Sequence, residues 1–171
     1  MPNWCSNNLE VYGERAEIEK FKVAVETEES CLDFNKIHPM PEDFKGLVIG
    51  GCEIDGTRER MWRVIGGKNV AIPQETIEMW QKQYGCAGWY DWCIANWGTK
   101  WDASDPDVCD NGDGLIYHFD TAWSPPIQWL EYVSKKFPTL EFKMKYEEEG
   151  MGFMGCARAS EGSVHNSCCD C

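Results

Sequence analysis

Between Thr139 and Glu147 the residues alternate strictly: Leu140, Phe142, Met144 and Tyr146 point one way, and Glu141, Lys143 and Lys145 the other. Period-two alternation of this kind predicts a half-buried strand, which commits the chain to a sheet with one apolar face that other elements must cover. A cover lies immediately upstream. SPPIQWLEYVSKKFP predicts a helix with Ser124 as N-cap and Pro125 at the first helical position, its Pro126, Leu130, Val133 and Phe137 aligned on one side. The same pairing opens the chain. Leu9 and Val11 alternate with Asn8, Glu10 and Tyr12 up to Gly13, and Ile18, Phe21 and Val25 then fall at i, i+3 and i+7.

The middle is less regular. LDFNKIHPMP, residues 32 to 41, begins like a strand and is stopped by two prolines. From Glu42 to Pro73 glycines punctuate the text, which predicts a loop-rich insertion with short strands around 47 to 49 and 62 to 65. A helical section over about 74 to 97 follows, with Ile77, Trp80 and Tyr84 on one face before Gly85 and Trp89, Trp92, Cys93 and Asn96 on another. Residues 102 to 114 read as a polar hinge, GLIYHFDTAW as a strand, and Gly150 as the turn into a last strand. The order β-α-β, insertion, β-α-β-β predicts an α+β fold, a ferredoxin-like antiparallel sheet with helices packed on one face. A single domain is expected over 1 to 166, with 167 to 171 as a disordered cysteine-rich tail.

Charge narrows the partners. Lys and Arg number 16 against 29 Asp and Glu, a net −13, which opposes non-specific binding to a phosphate backbone, since counterion release needs cationic side chains. No apolar run approaches membrane-spanning length, and the amino terminus lacks a signal-peptide pattern, so a cytoplasmic protein with reduced thiols is expected. Four stretches, MPNWCSNNLEVYG, WGTKWDA, FDTAWSPP and YEEEGMGFMG, together resemble the phage- and plasmid-borne YubB/Api-type family of uncharacterised proteins. The likeness spans most of the chain outside 42 to 73 and the tail. It implies a mobile-element origin and a ferredoxin-like carboxy-terminal part, and it transfers no catalytic residues.

The candidate site centres on WGTKWDASD. Trp97, Trp101 and Trp123 lie at the ends of elements beside Gly98, Ser124 and Pro125, where an α+β fold tends to open a cleft. A planar ligand could stack between two rings while Lys100 meets an anionic group and Asp102 takes a ribose hydroxyl or amine, with Ser124 counted among the residues of the same ligand site. The competing reading is a structural corner in which the indole N–H groups bond Asp102 and backbone carbonyls; between the two stands a mixed outcome, with Trp97 structural because it continues the helical face of Trp89 and Cys93, and Trp101 exposed because it lies past Gly98. His165, Cys168, Cys169 and Cys171 gather soft ligands, but the lone CxxC has no second pair, so no metal site is expected. The turn from Cys109 to Asp120 lacks the calcium loop's first carboxylate and terminal Glu. Histidines 38, 118 and 165 sit in no hydrolase, zincin or nucleotide motif, so no catalytic residue or cofactor is expected. The function these features support is non-enzymatic: binding a small nucleotide-like molecule or a host defence protein. The alternatives are an acidic mimic of nucleic acid that occupies a nuclease or CRISPR effector, and an enzyme of unknown class.

Overall fold

Nine strands and five helices run in the order β1 (Trp4–Tyr12), α1 (Arg15–Val25), α2 (Phe34–Ile37), β2 (Val48–Ile54), β3 (Thr57–Ile65), β4 (Lys68–Ala71), α3 (Gln74–Tyr84), α4 (Trp89–Asn96), β5 (Ser104–Asp110), β6 (Gly114–Ala122), α5 (Ile127–Lys136), β7 (Glu141–Glu148), β8 (Phe153–Ser160) and β9 (Ser163–Asp170) in the computed structural model, which describes residues 3 to 170. Where the sequence predicts one domain over 1 to 166, the chain divides into two compact units, Met1–Pro39 with Ile94–Cys171, and Met40–Cys93. The glycine-rich insertion and most of the helical section after it thus form a body of their own.

The first unit is the ferredoxin-like domain. Its sheet has the order β5-β6-β1-β7-β8-β9, and every neighbouring pair is antiparallel. Taking β1-α1-β5-β6-α5-β7 alone gives the split βαβ pattern of that fold, which β8 and β9 extend past β7. Alternation divides the two faces. Cys5, Leu9, Val11, Leu115, Tyr117, Phe119, Phe142 and Met144 are buried on one, with Phe21 of α1 meeting Tyr117, Phe137 and Phe142 edge-on at 6.1, 5.4 and 5.4 Å. The other face carries Trp4, Ser6, Asn8 and Glu10 of β1, His118 and Asp120 of β6, Lys145 and Glu147 of β7, and Met154, Cys156 and Arg158 of β8, all exposed or half-buried.

Three local expectations change. Residues 32 to 41 form the one-turn α2 rather than a strand, because the Asp33 carboxylate accepts from the Lys36 amide and caps it. The polar hinge contains β5, an edge strand with a register irregularity between Ser104 and Asp107 that accommodates Pro106. The expected disordered tail is β9 up to Asp170, paired with β8 from Ser160–Ser163 to Phe153–Asp170; Cys171 lies outside the described residues. Glu161 and Gly162, at φ of 49° and 78°, make the two-residue turn that β9 needs.

The second unit pairs β2, β3 and β4 in one meander. Phe44 packs edge-on to Trp80 at 5.4 Å and lies 5.3 Å from Tyr84, and the Arg63 guanidinium lies 5.5 Å from the Trp80 ring centre. α3 ends at Gly85, whose φ of 76° suits the left-handed cap.

Within the first unit Phe34 is the hub of a second ring cluster. It stacks on Trp129 at 4.5 Å and meets Phe119 and Trp97 edge-on at 5.8 and 6.1 Å. Phe34→Ala should therefore cost about 3–5 kcal/mol in urea unfolding monitored on this domain, whereas a loss below about 1 kcal/mol would show that the cluster does not hold α2 in place.

Candidate functional site

The stretch WGTKWD links the end of α4 to β5, and each residue has a separable job. Trp97 is 4% exposed and its indole N–H donates to the His38 carbonyl at 3.0 Å. Gly98, at a φ of 85°, turns the chain so tightly that a Cβ would stand 2.1 Å from Gln128 Oε1 and 3.1 Å from the Ile127 nitrogen. Its carbonyl accepts the Ser124 hydroxyl at 2.6 Å. Thr99 is fully buried and its hydroxyl donates to the Ala122 carbonyl at 2.9 Å. The loop is thereby tied to the end of β6 and to the approach to α5. Ser124 does not cap α5 as the sequence suggests; the position before that helix is Pro126, with no side-chain cap.

Asp102 is also committed to the backbone. One carboxylate oxygen accepts from the amides of Phe34 and Ala103, both at 2.7 Å, and the other from Asn35 at 3.0 Å. Two of those amides open α2, so the carboxylate fastens the four-residue helix to the loop. Burial opposes these three bonds and wins, raising the carboxyl to about 6.

Trp101 behaves differently. It is 39% exposed, with the Lys100 ammonium 4.5 Å from its ring centre and Trp4 tilted against it at 49° and 6.1 Å. Trp4 is 41% exposed and pairs across the ladder with Ala122. The next residue, Trp123, is 41% exposed, held at a φ of 72° with its amide donating to the Asn3 carbonyl at 3.0 Å. Of the six predicted site residues, Trp101 and Trp123 therefore stay about two-fifths exposed at the end of the sheet, Lys100 is half-buried with its ammonium over the Trp101 ring, and Trp97, Asp102 and Ser124 are spent on the corner. Trp4 was missed. The alternation read from the sequence covers only about residues 8 to 13, whereas β1 begins at Trp4, and the fold that sets Trp4 against Trp101 has no local signal.

Beside this end, the solvent face of the sheet holds a groove of about 520 Å³ along β1, β6, β7, β8 and β9, lined by residues that include Asn8, His118, Lys145, Met154, Cys156 and Cys169. The Asn8 amide contacts His118 Nδ1 at 3.2 Å on its floor. Elsewhere in the domain His38 stacks on Tyr132 at 3.8 Å, and burial lowers its pKa. Glu148, at the end of β7, is 1% exposed and accepts the amides of Gly150 and Met151 at 2.9 and 2.6 Å, which fixes the β7–β8 turn.

Residues 96–170 match a family model described as the ferredoxin-like domain in Api92-like protein. A crystal structure of the protein api92 from Yersinia pseudotuberculosis is similar over 98% of this chain and 98% of that one, with a TM-score of 0.58 and 14% identity. At that identity the likeness shows the fold alone. No curated protein matches the chain.

The Asp102 titration tests this site directly. Because its folded pKa lies above the ordinary carboxylate value of about 3.9, the fold prefers the protonated acid, and stability should fall as pH rises from about 4 to about 6 and then level off. Carboxyl-carbon NMR should give a midpoint near 6, and Asp102→Asn should abolish that part of the pH dependence. A midpoint at or below about 3.9 would mean that the three amide bonds outweigh burial.

Proposed function

We propose that this chain is a non-catalytic binding protein that docks a partner protein on the tryptophan-bearing end of its sheet. The observation that carries the reading is the exposed trio Trp4, Trp101 and Trp123, each about two-fifths accessible. Tryptophan is the residue most enriched where protein interfaces concentrate their energy, and a soluble domain gains nothing by leaving three of them half wet. The rings do not form a slot for a planar molecule: Trp101 is covered by Trp4 on one side and approached by Lys100, and the Asp102 carboxylate that a ribose or amine would have used is occupied. These facts favour a protein partner over a small nucleotide-like ligand at this place.

Net charge adds a second criterion. At −13 the chain steers towards a partner with a basic surface, with aromatic contacts supplying affinity and charge supplying encounter rate. If it is carried by a phage or plasmid, as the sequence resemblance implies, that partner is a host protein, and hindering a defence protein is the role such a module would serve.

A tagged chain used as bait should retain its partner in about 0.5 M salt, where exposed charge pairs are screened to a few ångströms. Trp4→Ala and Trp101→Ala should each weaken capture by at least about 30-fold, the size of a hot-spot loss, with melting temperatures close to that of the parent. Retention by both variants, together with release at high salt, would replace this reading with acidic mimicry of nucleic acid. A small molecule in the native mass spectrum, lost on Trp101→Ala, would restore the ligand cleft.

A further inference from the structure

The cysteines near the carboxy terminus change meaning once β9 is in place. Successive residues of a strand face opposite sides, so Cys168 and Cys169 part company. Cys168 stands opposite Gly155 and beside the Tyr146 phenol, which burial and Cys168 together push up to about 12. Cys169 stands directly opposite Met154 and turns its thiol onto the Met154 carbonyl at 3.7 Å. Cys156, two residues along β8, shares that face. These three sulfur side chains line the same groove of about 520 Å³.

Cys156 and Cys169 are free thiols and lie diagonally across the ladder, since Cys156 pairs with Ser167 and Cys169 with Met154. Diagonal neighbours on adjacent strands are about 7–8 Å apart, at or beyond the span of an unstrained disulfide. That separation suits an ion held between the two sulfurs. Among the described residues no three His, Cys, Asp or Glu side chains gather as a metal site; the Met154 thioether, on the same face and directly opposite Cys169, offers a third donor of another kind. Zinc prefers four nitrogen, oxygen or thiolate ligands, whereas thiolate with thioether selects copper(I).

We propose that Met154, Cys156 and Cys169 form a three-sulfur site for a soft monovalent cation, copper(I). Binding replaces two thiol protons with one Cu⁺, leaving the cluster with a single negative charge and releasing two protons to solvent. Lys145, directly across from Cys156, and Arg158, two residues further along β8, put two cations on the same face, against the Glu147 carboxylate directly across from Met154. The site uses none of the tryptophans, so it stands or falls separately from the partner-binding reading.

The test is an anaerobic titration of the reduced, full-length chain with Cu(I) against the chromophoric chelator bicinchoninate. One Cu(I) per chain should be withdrawn from the chelator. Loss of a group that only supports a ligand costs about 10–100-fold in affinity, so Cys156→Ser and Cys169→Ser should each weaken binding by at least about 100-fold, and Met154→Leu by about tenfold. Cys168→Ser and Cys171→Ser should bind as the parent does. All three proposed ligand residues are exposed, so the metal-free variants should keep the parent's melting temperature. Failure of the parent to compete for Cu(I), or parent-like affinity in Cys156→Ser, overturns the site. A loss in Cys168→Ser or Cys171→Ser as large as in Cys169→Ser also overturns it, because it would mean that the terminal CCDC segment chelates the ion by itself.

Discussion

The ferredoxin-like unit depends on β1 being hydrogen-bonded on both sides, to β6 over nine residue pairs and to β7 over seven. A central strand must satisfy its backbone through both neighbours, and here the side chains obey that position. Even the polar Asn7, 2% exposed on the covered face, is used up: its amide nitrogen reaches the Cys5 and Phe119 carbonyls and the Thr121 hydroxyl at 2.8, 3.3 and 2.9 Å. Because the register on either side is fixed, every residue between them on the solvent face has a fixed neighbour as well. The tryptophan end and the sulfur-lined groove are consequences of that register.

The loop carrying the two tryptophans shows how a corner and a surface can share one sequence. Trp97, Thr99, Asp102 and Ser124 make inward bonds that hold α2, the end of β6 and the approach to α5 together. With those contacts fixed, Trp101 is left exposed beside Trp4, with the Lys100 ammonium over its ring. A ligand cleft at this place would need the inward residues to be free, and they are not. Order of this kind suits docking, since a rigid patch loses little conformational freedom on association.

Much of the sheet was legible because β1, β6 and β7 alternate cleanly and both covering helices show an apolar stripe. The misses have physical causes. SDPDVCD and SVHNSCCD carry too few apolar residues to read as strands, yet β5 and β9 are the sheet's two edges, where hydrogen bonding to one neighbour is enough. The signal for β9 was the Glu-Gly turn at 161 and 162, and Asp55–Gly56 and Gly66–Gly67 mark the hairpins of the second unit in the same way. At the candidate site, the place of Trp101 just past Gly98 pointed to its exposure, and the ring is 39% accessible. Local reading failed for Asp102, whose partners are amides 67 and 68 residues away along the chain, and for Trp4, whose neighbour Trp101 is brought to it by the fold alone.

The central claim is that the tryptophan end of the solvent face is the working surface, distinct from the structural tryptophans behind it. Fluorine NMR on protein labelled with 5-fluorotryptophan, with resonances assigned by single substitutions, addresses it residue by residue. In the free protein a soluble paramagnetic agent should broaden Trp4, Trp101 and Trp123 and spare Trp97 and Trp129, which are 4% and 0% exposed. Adding the captured partner should protect Trp4 and Trp101 and shift their signals while leaving Trp97 and Trp129 where they were. Broadening of Trp97 in the free protein, or a bound state in which Trp4 and Trp101 remain as accessible as before, would contradict the account.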